Sequence, residues 1–160
     1  MNRANVRKLL STYIETPIAN FLLKLGVSAN TITLSGLFVA IASSYLLANG
    51  QLTSGGVILL ISGFFDMLDG ALARLSNKST SFGALLDSMV DRISEGAILF
   101  GLLIFFITTS SKYDSAFENI VGPGLVYLAL LNSYLVSYAR SRVEGLGYTT
   151  KVGIMTRPER

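Results

Sequence analysis

The sequence contains neither cysteine nor histidine. Their absence removes thiol and imidazole nucleophiles, histidine bases and Cys/His zinc sites, so any chemistry must use carboxylates, cations and hydroxyls. Charge is scarce as well, with 14% of the 160 residues charged against 51% hydrophobic and a mean hydropathy of +0.54. That balance is too apolar for an ordinary soluble domain. From Leu25 to Phe65 no side chain is charged. A secretory signal peptide would put a short apolar core directly behind the first basic residues. Here Arg3, Arg7 and Lys8 precede a mixed segment of helical period, so none is expected. No internal repeat, low-complexity tract or interdomain linker divides the chain.

What is there reads as an all-α, polytopic transmembrane helix bundle forming one domain over 1–160. A bilayer core about 30 Å thick needs ~20 residues of helix. Apolar segments of that size fall at about 30–48, 54–73, 82–107 and 120–139, separated by small or polar residues. Over 1–26, Val6, Leu9, Leu10, Tyr13, Ile14, Phe21, Leu22 and Leu25 recur at three- and four-residue steps. This is the pattern of an amphipathic helix lying in the membrane interface, with a helix packed on the spans as the alternative. Arg3, Arg7, Lys8 and Lys24 precede the first span, Arg74 and Lys78 lie between the second and third, and Arg140, Arg142, Lys151, Arg157 and Arg160 follow the fourth. The opposite connections hold only Lys112 among cations. The positive-inside bias therefore predicts a cell-membrane protein with its N-terminus and polar site on the cytoplasmic side. A net charge of +3 suits anionic headgroups. Nucleic acid is not expected as a partner, since no soluble basic domain is present to bind it.

Four aspartates stand inside the second and third spans. A charge in hydrocarbon costs roughly 2.5 to 3.5 kcal/mol on insertion scales, so each needs a partner or a watery cavity. Asp66 and Asp69 are three apart and Asp87 and Asp91 four apart, so each pair projects from one helix face. Antiparallel helices joined by the loop from Arg74 to Ser81 would bring the four to similar depth near the cytoplasmic surface. Close carboxylates repel unless cations intervene, and oxygen-only ligands favour hard divalent ions. Two other readings of the same residues stay open: a bundle neutralised by Arg74, Arg92 and Lys78, and the ion or proton path of a transporter. Gly63, Gly70, Gly83, Gly96 and Gly101 permit close helix approach under all three.

Written out, the cluster is Asp66-x-x-Asp69-Gly70-x-x-Ala73-Arg74, eight residues, then Gly83-x-x-x-Asp87-x-x-x-Asp91. This resembles the signature of the CDP-alcohol phosphatidyltransferase family at every defining position. The resemblance extends to Ser28–Thr33 before the first span and to Arg157-Pro158-Glu159-Arg160. It implies a phosphotransferase of phospholipid biosynthesis that passes a phosphatidyl-type group from a CDP-lipid, diacyl or ether, to a small alcohol and releases CMP. It further implies that Asp66, Asp69, Asp87 and Asp91 hold two magnesium or manganese ions, with Asp91 also the general base. Gly70, Ala73 and Gly83 would then offer a small-residue surface to the CDP moiety, Arg74 a guanidinium to the diphosphate, and Asn30, Thr31, Ile32, Thr33 and Thr80 further nucleotide contacts. For Asn30, a helix N-cap is the competing role, shared with Ser28.

The acceptor is expected to be a small phosphorylated alcohol. Leu86-Asp87-Ser88-x-x-Asp91-Arg92 is more similar to the inositol-phosphate branch of the family than to the phosphatidylglycerophosphate branch, which remains the alternative. Arg140, Arg142 and Arg157 resemble cations that receive the acceptor's phosphate, although a helix end obeying the positive-inside bias would carry them too. The family also implies a homodimer and typically six spans. Four are read here, so the chain is either shortened at its C-terminal side or lacks two helices, and in the second case an inactive remnant is the expectation.

Overall fold

The computed structural model describes residues 11–76, 80–110 and 120–148. They form a π-helical turn, Ser11–Glu15, that runs into α1 (Thr16–Lys24), followed by α2 (Ala29–Ala48), α3 (Leu52–Leu75), α4 (Ser81–Ser110) and α5 (Gly122–Gly145). Among the described residues there is no strand. The expected span limits agree with α2 to within one residue, and α3, α4 and α5 are each longer than expected. Of the expected amphipathic segment, residues 1–10 lie outside the described residues.

The boundaries around α1 and α2 have local causes. Pro17 stands in the first turn of α1, where its missing N–H costs nothing. Gly26, at φ 75, ends that helix in the left-handed region. Ser28 caps α2 by accepting the Thr31 N–H at 3.2 Å, which settles the choice of cap in favour of Ser28 over Asn30. The α2–α3 turn uses Gly50, at φ 76. There the Gly50 and Gln51 N–H groups return to the carbonyls of Leu47 and Leu46 at 2.9 and 3.0 Å.

Across the bundle the packing order is α1, α3, α2, α4, α5. Chain neighbours α3 and α4 do not pack side by side: α2 lies between them, and they face each other over its N-terminal end. Backbones come close where side chains are small. Ser43 donates to the Gly55 carbonyl at 2.8 Å and Ser62 to the Gly36 carbonyl at 3.0 Å, both buried. Ser44 donates to the Ala97 carbonyl and so ties α2 to α4. Such interhelical bonds are worth about 0.6 kcal/mol each in a membrane protein. Near the site end, Ala19 of α1, Ile32 of α2 and Leu68, Ala71 and Leu72 of α3 form an apolar cluster, flanked by Ile18, Leu22 and Leu23. That cluster fixes α1 against α3.

Outside, the bundle is apolar. Phe38, Leu60, Phe100 and Tyr127 are 71%, 77%, 61% and 62% exposed, while the interior holds Ser43, Ser62, Thr33, Gly36 and Gly55. Among the described residues, α2 and α3 are the helices long and apolar enough to cross a membrane by length and composition.

Candidate active site

The site sits where α3 and α4 face each other over the first turn of α2. Residues three apart on a helix share a face, so Asn30 and Thr33 point into the gap while Ile32 turns into the apolar cluster. Asp66 and Asp69 come from the inner face of α3 and Asp87 from α4. One carboxylate oxygen from each of these three lies within 4.8 Å of the others. Asp66 is exposed, Asp87 half-buried and Asp69 buried at 6% exposure. The Thr33 hydroxyl donates to Asp69 Oδ2 at 2.7 Å and lies 3.0 Å from the Ala29 carbonyl.

Beside the carboxylates is a cavity of about 220 Å³ lined by Ala29, Asn30, Thr33, Asp69, Gly70, Ala73, Thr80, Gly83, Ala84 and Asp87. Its walls are mostly Gly, Ala and Thr, so a planar or phosphorylated ligand can approach the backbone. Thr80 also caps α4, accepting the Gly83 N–H at 3.0 Å. A second hollow of about 300 Å³, between Leu23, Ser28 and Ser76, shares Ala29, Asn30 and Thr80 with the first.

The expected site residues divide clearly. Asn30, Thr33, Asp69, Gly70, Ala73, Thr80, Gly83 and Asp87 line the cavity, and Asp66 joins the carboxylate group. Asp91, one turn and about 6 Å further along α4, is half-buried and stands outside that three-carboxylate group. Thr31 is exposed, and both its N–H and its hydroxyl engage the Ser28 hydroxyl. Ile32 is core. Thr31 and Ile32 thus shape the turn without lining the cavity. Arg74 places Nη2 3.3 Å from Glu15 Oε2. Arg140 pairs with Glu144 along α5 at 3.2 Å, Arg142 is exposed, and neither lines the cavity. Arg157 and Lys78 lie outside the described residues.

Glu15 and Ala84 were not anticipated. The only signal for Glu15 is that it is the lone acid before Asp66. Arg92, weighed as a partner for the aspartates, instead bonds Glu95 and the Ser133 hydroxyl, the latter at 2.9 Å, and receives the Tyr134 hydroxyl on its carbonyl at 3.2 Å. It joins α4 to α5. The two arginines thus address glutamates and α5, which leaves less ground for a bundle neutralised by them. The donor set is all oxygen, in a protein without His or Cys, and fits a hard divalent cation.

Comparison with known proteins shows the family. The CDP-alcohol phosphatidyltransferase family model matches residues 26–151. An archaetidylinositol phosphate synthase of Methanothermobacter thermautotrophicus is 38% identical over 154 residues, covering 96% of this chain and 70% of its own. A phosphatidylinositol phosphate synthase of Corynebacterium glutamicum is 38% identical over 156 residues, 96% of this chain and 68% of its own. Among solved structures, the phosphatidylinositol phosphate synthase of Mycobacterium tuberculosis with CDP-DAG bound superposes with a TM-score of 0.77 at 35% identity, covering 91% of this chain and 70% of that one. The same enzyme in complex with manganese and citrate gives 0.76 at 34% identity, covering 91% and 66%. The chain belongs to the CDP-alcohol phosphatidyltransferase family, a family of membrane-associated transferases, and its acidic group is suited to a divalent metal.

Proposed function

We propose that this protein transfers a phosphatidyl or archaetidyl group from a CDP-lipid to an inositol phosphate and releases CMP. The observation that carries the reading is the group formed by Asp66, Asp69 and Asp87 on the rim of a small-residue cavity, in a chain similar along most of its length to synthases of this kind. Asp66, Asp69, Asp87 and Asp91 hold two ions in this reading. Magnesium or manganese bound there supplies neutralisation of the diphosphate as CMP leaves. Gly70, Ala73, Gly83 and Ala84 admit the cytidine, Asn30, Thr33 and Thr80 offer it polar groups, and Arg74 donates to the diphosphate. Asp91, apart from the other three, accepts the proton of the acceptor hydroxyl as its oxygen bonds to the lipid-linked phosphorus and the bond to CMP breaks. No covalent enzyme intermediate is required.

α5 runs antiparallel to α4, so Arg140 and Arg142 belong to the same end of the bundle as the acidic group, where with Arg157 they would receive the acceptor's phosphate. In the same reading α2 to α5 all cross the membrane, α1 lies in the interface with Phe21 and Leu25 outward, the site faces the cytoplasm, and the protein is a homodimer. The test is CMP release from CDP-diacylglycerol and its ether analogue with magnesium, offering inositol 1-phosphate, glycerol 3-phosphate, free inositol or serine. Release with inositol phosphate alone supports the reading. Release with another alcohol overturns the acceptor, and none with any overturns the activity. Asp91→Asn should abolish turnover and spare donor binding, and persistent turnover would remove Asp91 as the base.

A further inference from the structure

Among the described residues two carboxylates are buried, Asp69 at 6% exposure and Glu15 at 7%. Asp69 belongs to the site already described. Glu15 stands on another element, the π-helical turn leading into α1, and is 59 residues from its partner Arg74. Burying a carboxylate is costly unless a counter-charge and hydrogen bonds answer it. The answering group is unusual in its own position: the Glu15 side chain is 9% exposed, that of Arg74 65%.

The two terminal nitrogens of Arg74 are occupied differently. Nη2 is held by Glu15 Oε2 at 3.3 Å. Nη1 lies over Gly70, 3.3 Å from where a Cβ would stand. Gly70 lines the cavity next to Asp69. The guanidinium therefore stays largely exposed beside Gly70 at the cavity rim, with one amino group tied to Glu15 and the other lying over Gly70. An exposed arginine left to itself samples many rotamers, and its planar fork is effective where something fixes it beforehand. The anchor is itself rigid, since Ala19 is fully buried against α3.

We infer that Glu15 is a positioning residue for the donor site, holding Arg74 so that its second amino group meets the diphosphate of the CDP-lipid. This rests on the transferase reading above and extends the site to the helix that precedes the family motif. The glycine at 70 then has a second role, leaving the space through which Nη1 reaches the rim.

The experiment measures binding of CDP-diacylglycerol in detergent with manganese and no acceptor, alongside thermal melting and manganese affinity. It compares the wild type with E15Q, E15D, R74A and the E15Q/R74A double variant. E15Q should bind the donor roughly tenfold more weakly, the scale of one charge-assisted hydrogen bond. E15D should recover part of the loss, manganese affinity should be unchanged, and the double variant should bind no more weakly than R74A, because both changes remove one arrangement. Donor affinity unchanged in E15Q while melting falls would make Glu15 a staple for α1 only. Additive losses would also overturn the positioning role. Unfolding of both Glu15 variants would assign the residue to stability alone. Failure of the wild type to bind the donor would sink the transferase reading with it, an outcome distinct from the other three.

Discussion

Thr33 does two things that a spacing argument cannot show. Its hydroxyl reaches across from α2 to Asp69 Oδ2 at 2.7 Å, and its position one turn from the Ser28 cap puts that hydroxyl where α3 and α4 face each other. A carboxylate ligand held by a second residue keeps one orientation, and loss of such support typically costs ten- to a hundredfold in metal affinity. Thr33→Val, close in volume but without the hydroxyl, should therefore weaken manganese binding by roughly tenfold, read by titration of the purified protein with the ion's paramagnetic signal. Thr33→Ser should stay near the wild type, and equal affinity in Thr33→Val would remove the supporting role. The grouping of Asp66, Asp69 and Asp87 was legible because the spacing of the aspartates is local to each helix, whereas Gly70, Ala73 and Gly83 were read from their place in one motif and Asn30 and Thr80 from the resemblance beyond it, and all five line the cavity. Thr31 and Ile32 were placed in the site with Asn30 and Thr33 by the family resemblance, but a helix turns 100° per residue, and that sends Ile32 into the core. Glu15 was missed because nothing in the sequence joins it to Arg74.

At the scale of the elements, the helices were legible from the alternation of apolar runs with small and polar breaks, and their order in the bundle was not. Chain neighbours α3 and α4 are kept apart by α2, and the glycines show how. A Cβ at Gly101 would run into the Ser44 carbonyl and hydroxyl, and one at Gly55 would stand 2.7 Å from Leu47 Cδ2, whereas one at Gly63 meets nothing within 4 Å. Of the five glycines taken from the sequence as points of close approach, Gly101 is therefore a backbone contact between helices and Gly63 is open. The same substitution should give opposite results at the two sites. Gly101→Ala forces α2 and α4 apart and should cost about 1 to 3 kcal/mol, as overpacking does. Gly63→Ala should be neutral or stabilise by up to about 1 kcal/mol, since alanine restricts the unfolded chain in a helical position it can occupy without strain. Thermal melting in detergent checks both, and equal shifts would contradict the α2–α4 contact at Gly101.

Among the described residues most large apolar side chains point outward and several hydroxyls and glycines inward, a partial inversion of a soluble helical bundle, beside a small apolar core of Ile32, Leu68 and Leu72. That inversion was legible as composition, and the charge-free run from Leu25 to Phe65 located it, but only the structure says which faces point away from the protein. Phe38 is the sharpest case, at the midpoint of α2 and 71% exposed. If the surroundings there were water, replacing it with lysine would relieve an exposed aromatic and leave stability within about 0.5 kcal/mol. If they are hydrocarbon, the ammonium stands near the bilayer centre of a span that touches α3 and α4, and insertion should lose roughly 2.5 to 3.5 kcal/mol. Phe38→Lys should therefore lower the fraction of α2 inserted by the translocation machinery, read with glycosylation acceptors placed on either side of it. Asn30→Lys, at the end of α2 that the proposed topology puts in the cytoplasm, where cations are favoured, should leave that fraction unchanged. Full insertion of Phe38→Lys would place the face of α2 that carries Phe38 against water or protein instead of lipid, and the proposed arrangement of four crossing helices would have to be redrawn around it.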